Sequence, residues 1–309
     1  MPSTTSPTGD KQSIVTTFSN SYKGQKHYVP FNASVDFVTI TSNLIHHDLS
    51  QLVHKLTSQS RSTKYYKTKS FAYNRVVKCS YNYNSSSYTI FIIRSNKAFL
   101  PKLLIKILQP DRNILLHVDE LLHNDYNISF IEFAFDFYSD HPARLYRFFK
   151  QSLFLKWPGK KFDPGYTSTT YLNNIRQSKS KGVRIYRKKE PSKEAVRVEV
   201  VYKRRMLKKL GIVAVKDLLT IKPSIITKYL NLMEFDFDLF RERCFRRRDN
   251  NNININDLDS IVDQIEHMID SNGIREADMY ARQFAGPSCL VDHEKKDKLC
   301  KAINKLSFF

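Results

Sequence analysis

Residues 166–202 read YTSTTYLNNIRQSKSKGVRIYRKKEPSKEAVRVEVVY, and this stretch decides how the chain folds. Val, Ile, Tyr and Thr dominate three segments of it, and these residue types favour β-strands. The segments SKSKG and EPSKE contain the Gly, Pro and Ser residues that separate strands by turns. The sequence therefore predicts strands at 167–175, 182–189 and 195–202, the last two forming a hairpin.

The hairpin has one apolar face and one charged face, because side chains alternate along a strand. Arg184, Tyr186 and Lys188 share one face of the first hairpin strand. Arg197 and Glu199 share one face of the second, and valines occupy its other side. If the aliphatic faces are buried together, these five polar side chains lie on the same surface of the sheet.

The position of the turn decides which residue faces Tyr186. A four-residue turn at 191–194 places Tyr186 opposite Glu199, whereas a turn at 190–193 places it opposite Arg197. Either register leaves a tyrosine among cations, with a carboxylate nearby.

The charge of the chain points to a polyanionic partner. Lys and Arg number 50 against 30 acidic residues, which gives a formal net charge of +20 over 309 residues. Fourteen basic and three acidic residues lie between 176 and 209, so over half of this surplus surrounds the hairpin. Tyrosines are interleaved with these cations, which is typical of a surface that contacts phosphates and stacks bases. Nucleic acid is the predicted partner, and a solvated basic face is the competing interpretation.

Targeting and redox features are those expected of an intracellular, cytoplasmic protein. The N-terminal residues MPSTTSPTGDK lack an apolar core, so no signal peptide is predicted. No apolar run reaches about 18 residues and no basic amphipathic helix stands out, which argues against a membrane partner. The four cysteines are scattered without Cys-x-x-Cys spacing, so neither a zinc site nor a disulfide framework is predicted.

A second informative stretch is 128–138, which reads ISFIEFAFDFY and predicts a strand at the centre of a sheet. Glu132 and Asp136 are four residues apart, so both carboxylates point to one face, about 13 Å from each other. Unpaired carboxylates are costly in such apolar surroundings. They therefore require a metal ion, a cationic partner or water.

The fold class predicted from the whole chain is α+β: an antiparallel central sheet with flanking helices, followed by a helical C-terminal region. Residues 1–30 are polar and predicted to be a flexible tail. The β-rich domain spans 31–205, and the helical region spans 206–309. Asp36, near the start of a strand at 35–41, is interpreted as a turn or cap residue. Further strands are predicted at 71–83 and 88–94, and helices at 45–56, 100–108, 114–122, 144–153, 203–210, 215–219, 223–232, 237–247, 256–273, 274–284 and 292–306.

A tyrosine on a cationic sheet near carboxylates suggests phosphodiester transesterification, in which the phenolate attacks phosphorus. A divalent metal held by carboxylates would polarise the phosphate, and Arg and Lys would offset the developing charge. Carboxylate oxygens favour Mg²⁺ or Mn²⁺ as that metal. The competing interpretation is a packing tyrosine, since the chain contains 17 of them.

Several motifs surround Tyr186 in order: Tyr171…Asn173…Arg176-Gln-Ser178, then Arg184-Ile-Tyr186-Arg-Lys188-x-Glu190, then Arg197-Val-Glu199-Val. Upstream lies Ser129-Phe-Ile-Glu-Phe-Ala-Phe-Asp136. This set resembles the motifs of the Rep_trans-type replication initiators of small rolling-circle plasmids, across residues 34–212. The chain departs from the family at Asn173-Asn174, where the family has Gly-Ser, and at Arg187, where it has an acidic residue.

The resemblance implies a relaxase-like or RRM-like sheet and a nicking activity at a double-stranded origin. Tyr186 would attack one strand at the nick site, giving a 5′-phosphotyrosyl link and a free 3′ hydroxyl as primer, with Tyr171 as reserve nucleophile. Similar proteins act as homodimers and recruit a host helicase, and the C-terminal helices would serve origin recognition and dimerisation. The predicted metal ligands are Glu132, Asp136, Glu199 and Glu190, and the predicted DNA contacts are Arg176, Arg184, Lys188, Arg197, Lys203, Arg204 and Arg205.

Two other functions fit the same residues. A non-catalytic DNA-binding regulator could use the same sheet, although a pure binder has no need of three carboxylates beside a tyrosine. A conjugative or transposon relaxase would use the same chemistry on a different target. The sequence alone leaves both alternatives open.

Overall fold

The chain forms an α+β fold built on a large antiparallel sheet. The computed structural model describes residues 14–19, 26–42, 51–52, 54–55, 58, 60–67, 75–83, 86–94, 103–123, 125–155, 169–172, 178, 180–189, 194–222, 224–227, 230–251, 257–294, 296–305 and 308–309. The strands are β1 Ile14–Ser19, β2 Lys26–Ser42, β3 Ser60–Lys67, β4 Arg75–Tyr83, β5 Ser86–Arg94, β6 Leu103–Leu108, β7 Asn127–Tyr138, β8 Leu153–Leu155, β9 Thr169–Tyr171, β10 Lys181–Lys189, β11 Glu194–Lys203, β12 Leu230–Phe235 and β13 Leu290–Asp292. The helices are α1 Arg112–Leu122, α2 Pro142–Ser152, α3 Arg204–Lys209, α4 Val215–Leu219, α5 Ser224–Thr227, α6 Phe237–Asn251, α7 Leu258–Ser271, α8 Ile274–Ala285 and α9 Lys296–Asn304.

The main sheet places the two stretches that the sequence singled out side by side. Its strand order is β3-β4-β5-β6-β2-β7-β11-β10-β9, and β1 pairs with the first part of β2. The carboxylate strand β7 therefore lies between β2 and the hairpin strand β11. All pairings in this sheet are antiparallel, as predicted.

The hairpin of β10 and β11 adopts the second of the two predicted registers. Tyr186 lies opposite Arg197, and Arg184 lies opposite Glu199. The strands separate after the pair Lys189 and Glu194, so the connection is 190–193, whose own conformation lies outside the described residues. The charged side chains of both strands thereby share one face, as alternation requires.

The opposite face of the hairpin forms the main core. Val183, Ile185, Val196 and Val198 are buried there, as predicted from the aliphatic parity. Helix α2 packs against β10 and β11 on this side, and its Tyr146 hydroxyl lies 2.7 Å from the Thr170 hydroxyl. Burying these valines fixes the charged residues on the other face, because a strand side chain cannot change sides without shifting the register by one residue.

The predicted division near residue 205 is not where the cores separate. Met206, Leu207, Val215 and Leu218 of the short helices α3 and α4 are buried in the main core, because the sheet offers them the nearest apolar surface. Helix α9 and Phe308 also return to this core. A second, smaller core lies within Phe235–Leu290, mainly on helices α6, α7 and α8. The strands β8, β12 and β13 form a separate three-stranded sheet.

Two predictions of secondary structure are wrong where the structure describes the residues. The predicted helix at 100–108 contains strand β6, where Leu103, Ile105 and Ile107 are buried between β2 and β5. The predicted helix at 223–232 keeps one helical turn, Ser224–Thr227, before strand β12 pairs with β8 and β13. In both cases pairing with strands distant in sequence overrides the helix-like local pattern.

The predicted flexible tail at 1–30 and the predicted end of the helix at 237–247 also differ from the structure in part. Strand β1 pairs with residues 26–31 of β2, so backbone hydrogen bonds hold part of the predicted tail. Helix α6 continues to Asn251. Of the predicted helix at 45–56, residues 51–52 and 54–55 are helical, and the remainder lies outside the described residues. Within the part of the chain that the structure describes, no helix has the length and apolar character needed to cross a membrane.

The first prediction concerns the main core. Phe133 is fully buried, with its ring centroid 4.7 Å from that of Phe308 and 5.8 Å from that of Tyr202. We expect Phe133→Ala to lower the free energy of unfolding by about 3–5 kcal/mol, through lost burial and the cavity left behind. Urea denaturation followed by circular dichroism measures this. Phe245→Ala is the control, because Phe245 is 49% exposed, and a loss of more than about 1 kcal/mol there would contradict the assignment.

Candidate active site on the charged face of the sheet

The site is built around the side chain of Glu199 on β11, which is completely buried. The Tyr186 hydroxyl donates a hydrogen bond to its Oε1 at 2.5 Å. Its Oε2 forms an ion pair with the Arg184 guanidinium. Both partners come from the neighbouring strand β10, two residues apart and therefore on the same face. Glu199 thus bridges the tyrosine and the arginine of the Arg-Ile-Tyr motif.

The two carboxylates of strand β7 take different cationic partners. Glu132 accepts a hydrogen bond from Arg184 Nη2 at 2.7 Å. Asp136 accepts two from Arg197, from Nε and from Nη2, each at 2.6 Å. Lys188 Nζ lies 3.5 Å from the same Asp136 carboxylate. The costly burial of these acids, expected from the apolar strand, is therefore offset by charge-assisted pairs across the sheet.

Asp36 joins the site through a bulge in strand β2. Val35 lies opposite Phe133 and Phe37 lies opposite Glu132, so Asp36 is one extra residue between two pairs. A bulge of this kind turns the extra side chain toward the face of its neighbour. Asp36 consequently accepts a hydrogen bond from Arg197 Nη1 at 3.3 Å.

The interpretation of Asp36 as a turn or cap residue is therefore wrong. Strict alternation would place Asp36 on the same face as Val38 and Ile40, both of which are buried in the core. An acid of that parity in an otherwise apolar strand is the sequence signal that could have indicated a bulge.

Asp36, Glu132 and Glu199 form a candidate metal site. Each offers a carboxylate oxygen, and these oxygens all lie within 4.8 Å of one another. Carboxylate oxygens are hard donors, which suit a hard divalent cation. Two of the predicted ligands are not part of this group. Asp136 accepts hydrogen bonds from Arg197 instead. Glu190 lies outside the described residues.

The protonation of Glu132 supports this fit. Burial raises the pKa of Glu132 to about 7, and the nearby negative charge of Asp36 acts in the same direction, while Arg184 opposes the rise. A hydrogen bond between the side chains of Glu132 and Asp36 also favours the protonated form. Two carboxyl groups that share a proton in this way are positioned to exchange it for a cation.

The positive and negative charges of the cluster can nevertheless cancel without a metal ion. Once Glu132 has lost its proton, the carboxylates of Asp36, Glu132, Asp136 and Glu199 are matched, among the described residues, by four nearby cations: Arg184, Arg197, Lys188 and Lys106. Burial lowers the pKa of the Lys106 ammonium, whereas the charges of Glu132 and Asp36 oppose that effect. A divalent ion must therefore displace a cation. Arg184 is the candidate, because its side chain is 31% exposed and it touches two of the three candidate ligands.

The Tyr186 hydroxyl is protonated in this arrangement. Burial raises its pKa, although the positive charges of Arg197 and Arg184 act in the opposite direction. Its proton points to Glu199, which is the group able to accept it. Tyr186 and Glu199 therefore form an acid–base pair. How readily the proton moves to Glu199 depends on how much of the carboxylate charge is neutralised by nearby cations.

The other predicted site residues lie outside this cluster or outside the described residues. Tyr171 is opposite Arg184 on the edge strand β9 and lines a small cleft with Lys150 and Arg275. Arg187 points to the other side of β10 and pairs with Glu194, so this departure from the family motif does not touch Tyr186. Lys203 is half-buried, Arg204 and Arg205 are exposed at the start of α3, and Arg176 lies outside the described residues.

Comparison with protein families and with curated proteins identifies no relative. No protein-family model matches the chain, and no curated protein matches it. The resemblance to replication initiators through the motifs around Tyr186 therefore stays a prediction.

The second prediction concerns competition between Arg184 and a metal ion. We expect Arg184→Gln to tighten Mn²⁺ binding by about tenfold, because the guanidinium no longer neutralises Glu132 and Glu199. Electron paramagnetic resonance of free Mn²⁺ measures the affinity. Arg187→Gln is the matched control, since Arg187 lies on the same strand, carries the same charge and pairs outside the cluster. Equal affinities for wild type and Arg184→Gln would show that the three carboxylates do not bind the ion.

The third prediction concerns the dependence of folding stability on pH. The folded protein holds a proton on Glu132 up to about pH 7, whereas the unfolded chain releases it near 4.5. The protonated form therefore stabilises the fold fully below pH 4.5, and this contribution of about 3 kcal/mol is lost as the pH rises through 7. Urea denaturation across this range should show the loss in wild type and not in Glu132→Gln. The control Glu194→Gln, at a surface pair, should follow wild type, and identical profiles for all three proteins would contradict the assignment.

Proposed function

We propose that this protein cuts one strand of DNA by transesterification, with Tyr186 as the nucleophile. The observation that carries the proposal is the 2.5 Å hydrogen bond from the Tyr186 hydroxyl to the buried carboxylate of Glu199. A tyrosine that serves only for packing does not require a buried base, a cluster of carboxylates and two arginines on the same face. The net charge of +20 supports a polyanionic substrate.

In the proposed mechanism, the residues of the cluster exchange partners when a phosphate arrives. Arg184 is the most exposed of the cluster's arginines, and it turns from Glu132 and Glu199 to the incoming phosphate. The two carboxylates then lose their counter-charge. Glu199 becomes a stronger base, and the candidate metal ligands become available together. A divalent ion held there would polarise the phosphate oxygens.

Bond exchange at phosphorus follows from this arrangement. Glu199 takes the phenol proton while the Tyr186 oxygen forms a bond to phosphorus. The bond from phosphorus to the 3′ oxygen breaks, the bonding electrons stay with that oxygen, and it takes a proton from water. The products are a 5′-phosphotyrosyl link and a free 3′ hydroxyl. Lys188, whose ammonium lies beside the cluster, and Arg184 offset the charge on the phosphate during the exchange.

The biological role that this chemistry supports best is replication initiation at a rolling-circle origin. The free 3′ hydroxyl serves as a primer, and transfer of the phosphotyrosyl end later closes the circle. We include in the proposal the properties implied by the family resemblance: a relaxase-like or RRM-like sheet, cytoplasmic action, Mg²⁺ or Mn²⁺ as cofactor, a homodimer and a host helicase as partner. A conjugative or transposon relaxase is the nearest alternative because it uses the same bond exchange.

A second candidate function is a non-catalytic DNA-binding regulator. The observation that favours it is the charge balance of the cluster, in which four cations neutralise four carboxylates without a metal. In that case the ion pairs hold the sheet together, and the basic surface alone binds DNA. This protein would bind DNA in a salt-sensitive manner and never become covalently attached to it.

The fourth prediction tests the nucleophile. Wild-type protein is incubated with Mn²⁺ and a pool of random-sequence single-stranded DNA labelled at the 3′ end, so that any 5′-phosphotyrosyl product carries the label. We expect a labelled protein band in denaturing gels. Tyr186→Phe should reduce it by at least about a thousandfold, since no other group replaces the phenol oxygen. Tyr171→Phe, on the neighbouring strand, is the control and should retain the band.

The other outcomes decide between the alternatives. A band that survives Tyr186→Phe and disappears in Tyr171→Phe would assign the nucleophile to the edge strand. Salt-sensitive DNA binding without any labelled band, in Mg²⁺ as well as Mn²⁺, would favour the regulator over the nicking enzyme.

A further inference from the structure

A row of lysine and phenylalanine side chains crosses the main sheet at one level. Successive strand pairings bring six residues into line across β4, β5, β6, β2, β7 and β11. We call this set the lysine–phenylalanine row: Lys78, Phe91, Lys106, Thr39, Phe130 and Lys203.

The row lies on the face that carries Tyr186. Lys203 is six residues from Arg197 on β11, and Phe130 is two residues from Glu132 on β7; both separations are even, so the faces are the same. Phe37, beside Thr39 on β2, lies opposite Glu132 on that face. The row and the candidate active site are therefore parts of one continuous surface.

The phenylalanines of this surface are not buried like those of the core. Phe91, Phe37 and Phe130 are half-buried, whereas Ile90 and Ile92, which flank Phe91 and point to the other face, are 1% and 0% exposed. The rings of Phe37 and Phe130 are stacked, with centroids 4.9 Å apart and planes 8° apart. Part of each of these rings therefore remains exposed on this face of the sheet.

Lysines are placed between and over these rings. Lys106 Nζ lies 3.5 Å from the centroid of the Phe37 ring, and Lys78 Nζ lies 5.8 Å from that of Phe91. The row itself contains no acidic residue. Lysine is depleted in the centres of protein–protein interfaces, so alternation of lysine with half-buried aromatic rings argues against a protein partner. The same alternation complements a single strand of nucleic acid, whose bases stack on rings and whose phosphates attract ammonium groups.

We infer that the lysine–phenylalanine row is a binding platform for single-stranded DNA that leads the strand to Tyr186. That the bound strand is also the strand that is cut rests on the proposed function. The existence of the binding surface does not depend on it. Phe91 and Phe130 are three strand spacings apart, about 14 Å, which leaves room for successive stacked bases. From Phe130 the strand has about 20 Å to cover along β11 before it reaches Tyr186.

The lysine beside the candidate active site links the two regions. Lys106 contacts the Phe37 ring and also interacts electrostatically with Glu132 and Asp36 of the carboxylate cluster. A phosphate held by Lys106 would lie next to that cluster. The platform thus supplies what the basic hairpin alone does not, a path with aromatic stacking positions that continues away from the nucleophile.

The test measures binding of a fluorescein-labelled oligo-thymidine of about 20 nucleotides by fluorescence anisotropy, at several salt concentrations. We expect Phe91→Ala to raise Kd by about 5–100-fold, because one stacking position is lost. Phe91→Leu keeps an apolar side chain in the sheet and should also weaken binding, which separates stacking from folding. Lys78→Gln should reduce the slope of log Kd against log salt by about 0.7, the effect of one lost phosphate contact.

Matched control variants and a DNA duplex of the same length test whether the loss of binding is specific to the row and to single strands. Phe245→Ala and Lys216→Gln remove an exposed ring and an exposed lysine elsewhere and should bind as wild type does. Binding of double-stranded DNA should not depend on Phe91, since paired bases are unavailable for stacking on a protein ring. An equal loss for duplex and single strand would contradict the platform.

The outcome is independent of nicking. If wild type forms the covalent product while the Phe91 and Lys78 variants bind oligo-thymidine with unchanged Kd and salt slope, the platform is wrong and the proposed function stands. If these variants lose binding while no covalent product forms, the platform stands and the nicking activity fails.

Discussion

The guanidinium of Arg197 makes two hydrogen bonds to Asp136 in the middle of the main sheet, and the candidate site depends on this buried pair. It fixes β11 against β7, and its third nitrogen reaches Asp36 on the next strand. Removing one partner of such a pair typically costs about 3–5 kcal/mol, since the other charge stays buried. Arg197 thus holds the strands that carry the candidate metal ligands Asp36, Glu132 and Glu199 in one arrangement, beside Tyr186.

The charges around that pair determine which reaction the site can carry out. Arg197 is enclosed, whereas Arg184 reaches the surface with 31% of its side chain exposed. One arginine is therefore structural and the other can exchange its carboxylate partners for a phosphate. In our proposal, substrate binding withdraws Arg184, and this makes Glu199 basic and exposes the carboxylates to a metal ion. The raised pKa values of Glu132 and Tyr186 describe the resting state before that exchange.

Local patterns predicted the parts of this fold that depend on alternation. The aliphatic parity of the hairpin placed Tyr186, Arg197 and Glu199 on one face, and alternation along the apolar strand placed Glu132 and Asp136 on one face of that strand. Parts that depend on distant pairing were not predicted. The segment of strand β6 was predicted to be helical, because its burial depends on pairing with β2 and β5. Asp36 faces the site because of a bulge in β2, which the rule of strict alternation does not include. The second core also depends on contacts that no local pattern contains.

The most direct test of the central claim is to locate the covalent bond. Protein that has reacted with single-stranded DNA is digested with nuclease and protease, and the modified peptide is sequenced by tandem mass spectrometry. Our account predicts a nucleotide linked through its 5′ phosphate to the oxygen of Tyr186. A nucleotide on any other residue, or unmodified Tyr186 in protein that has demonstrably cut DNA, would contradict it.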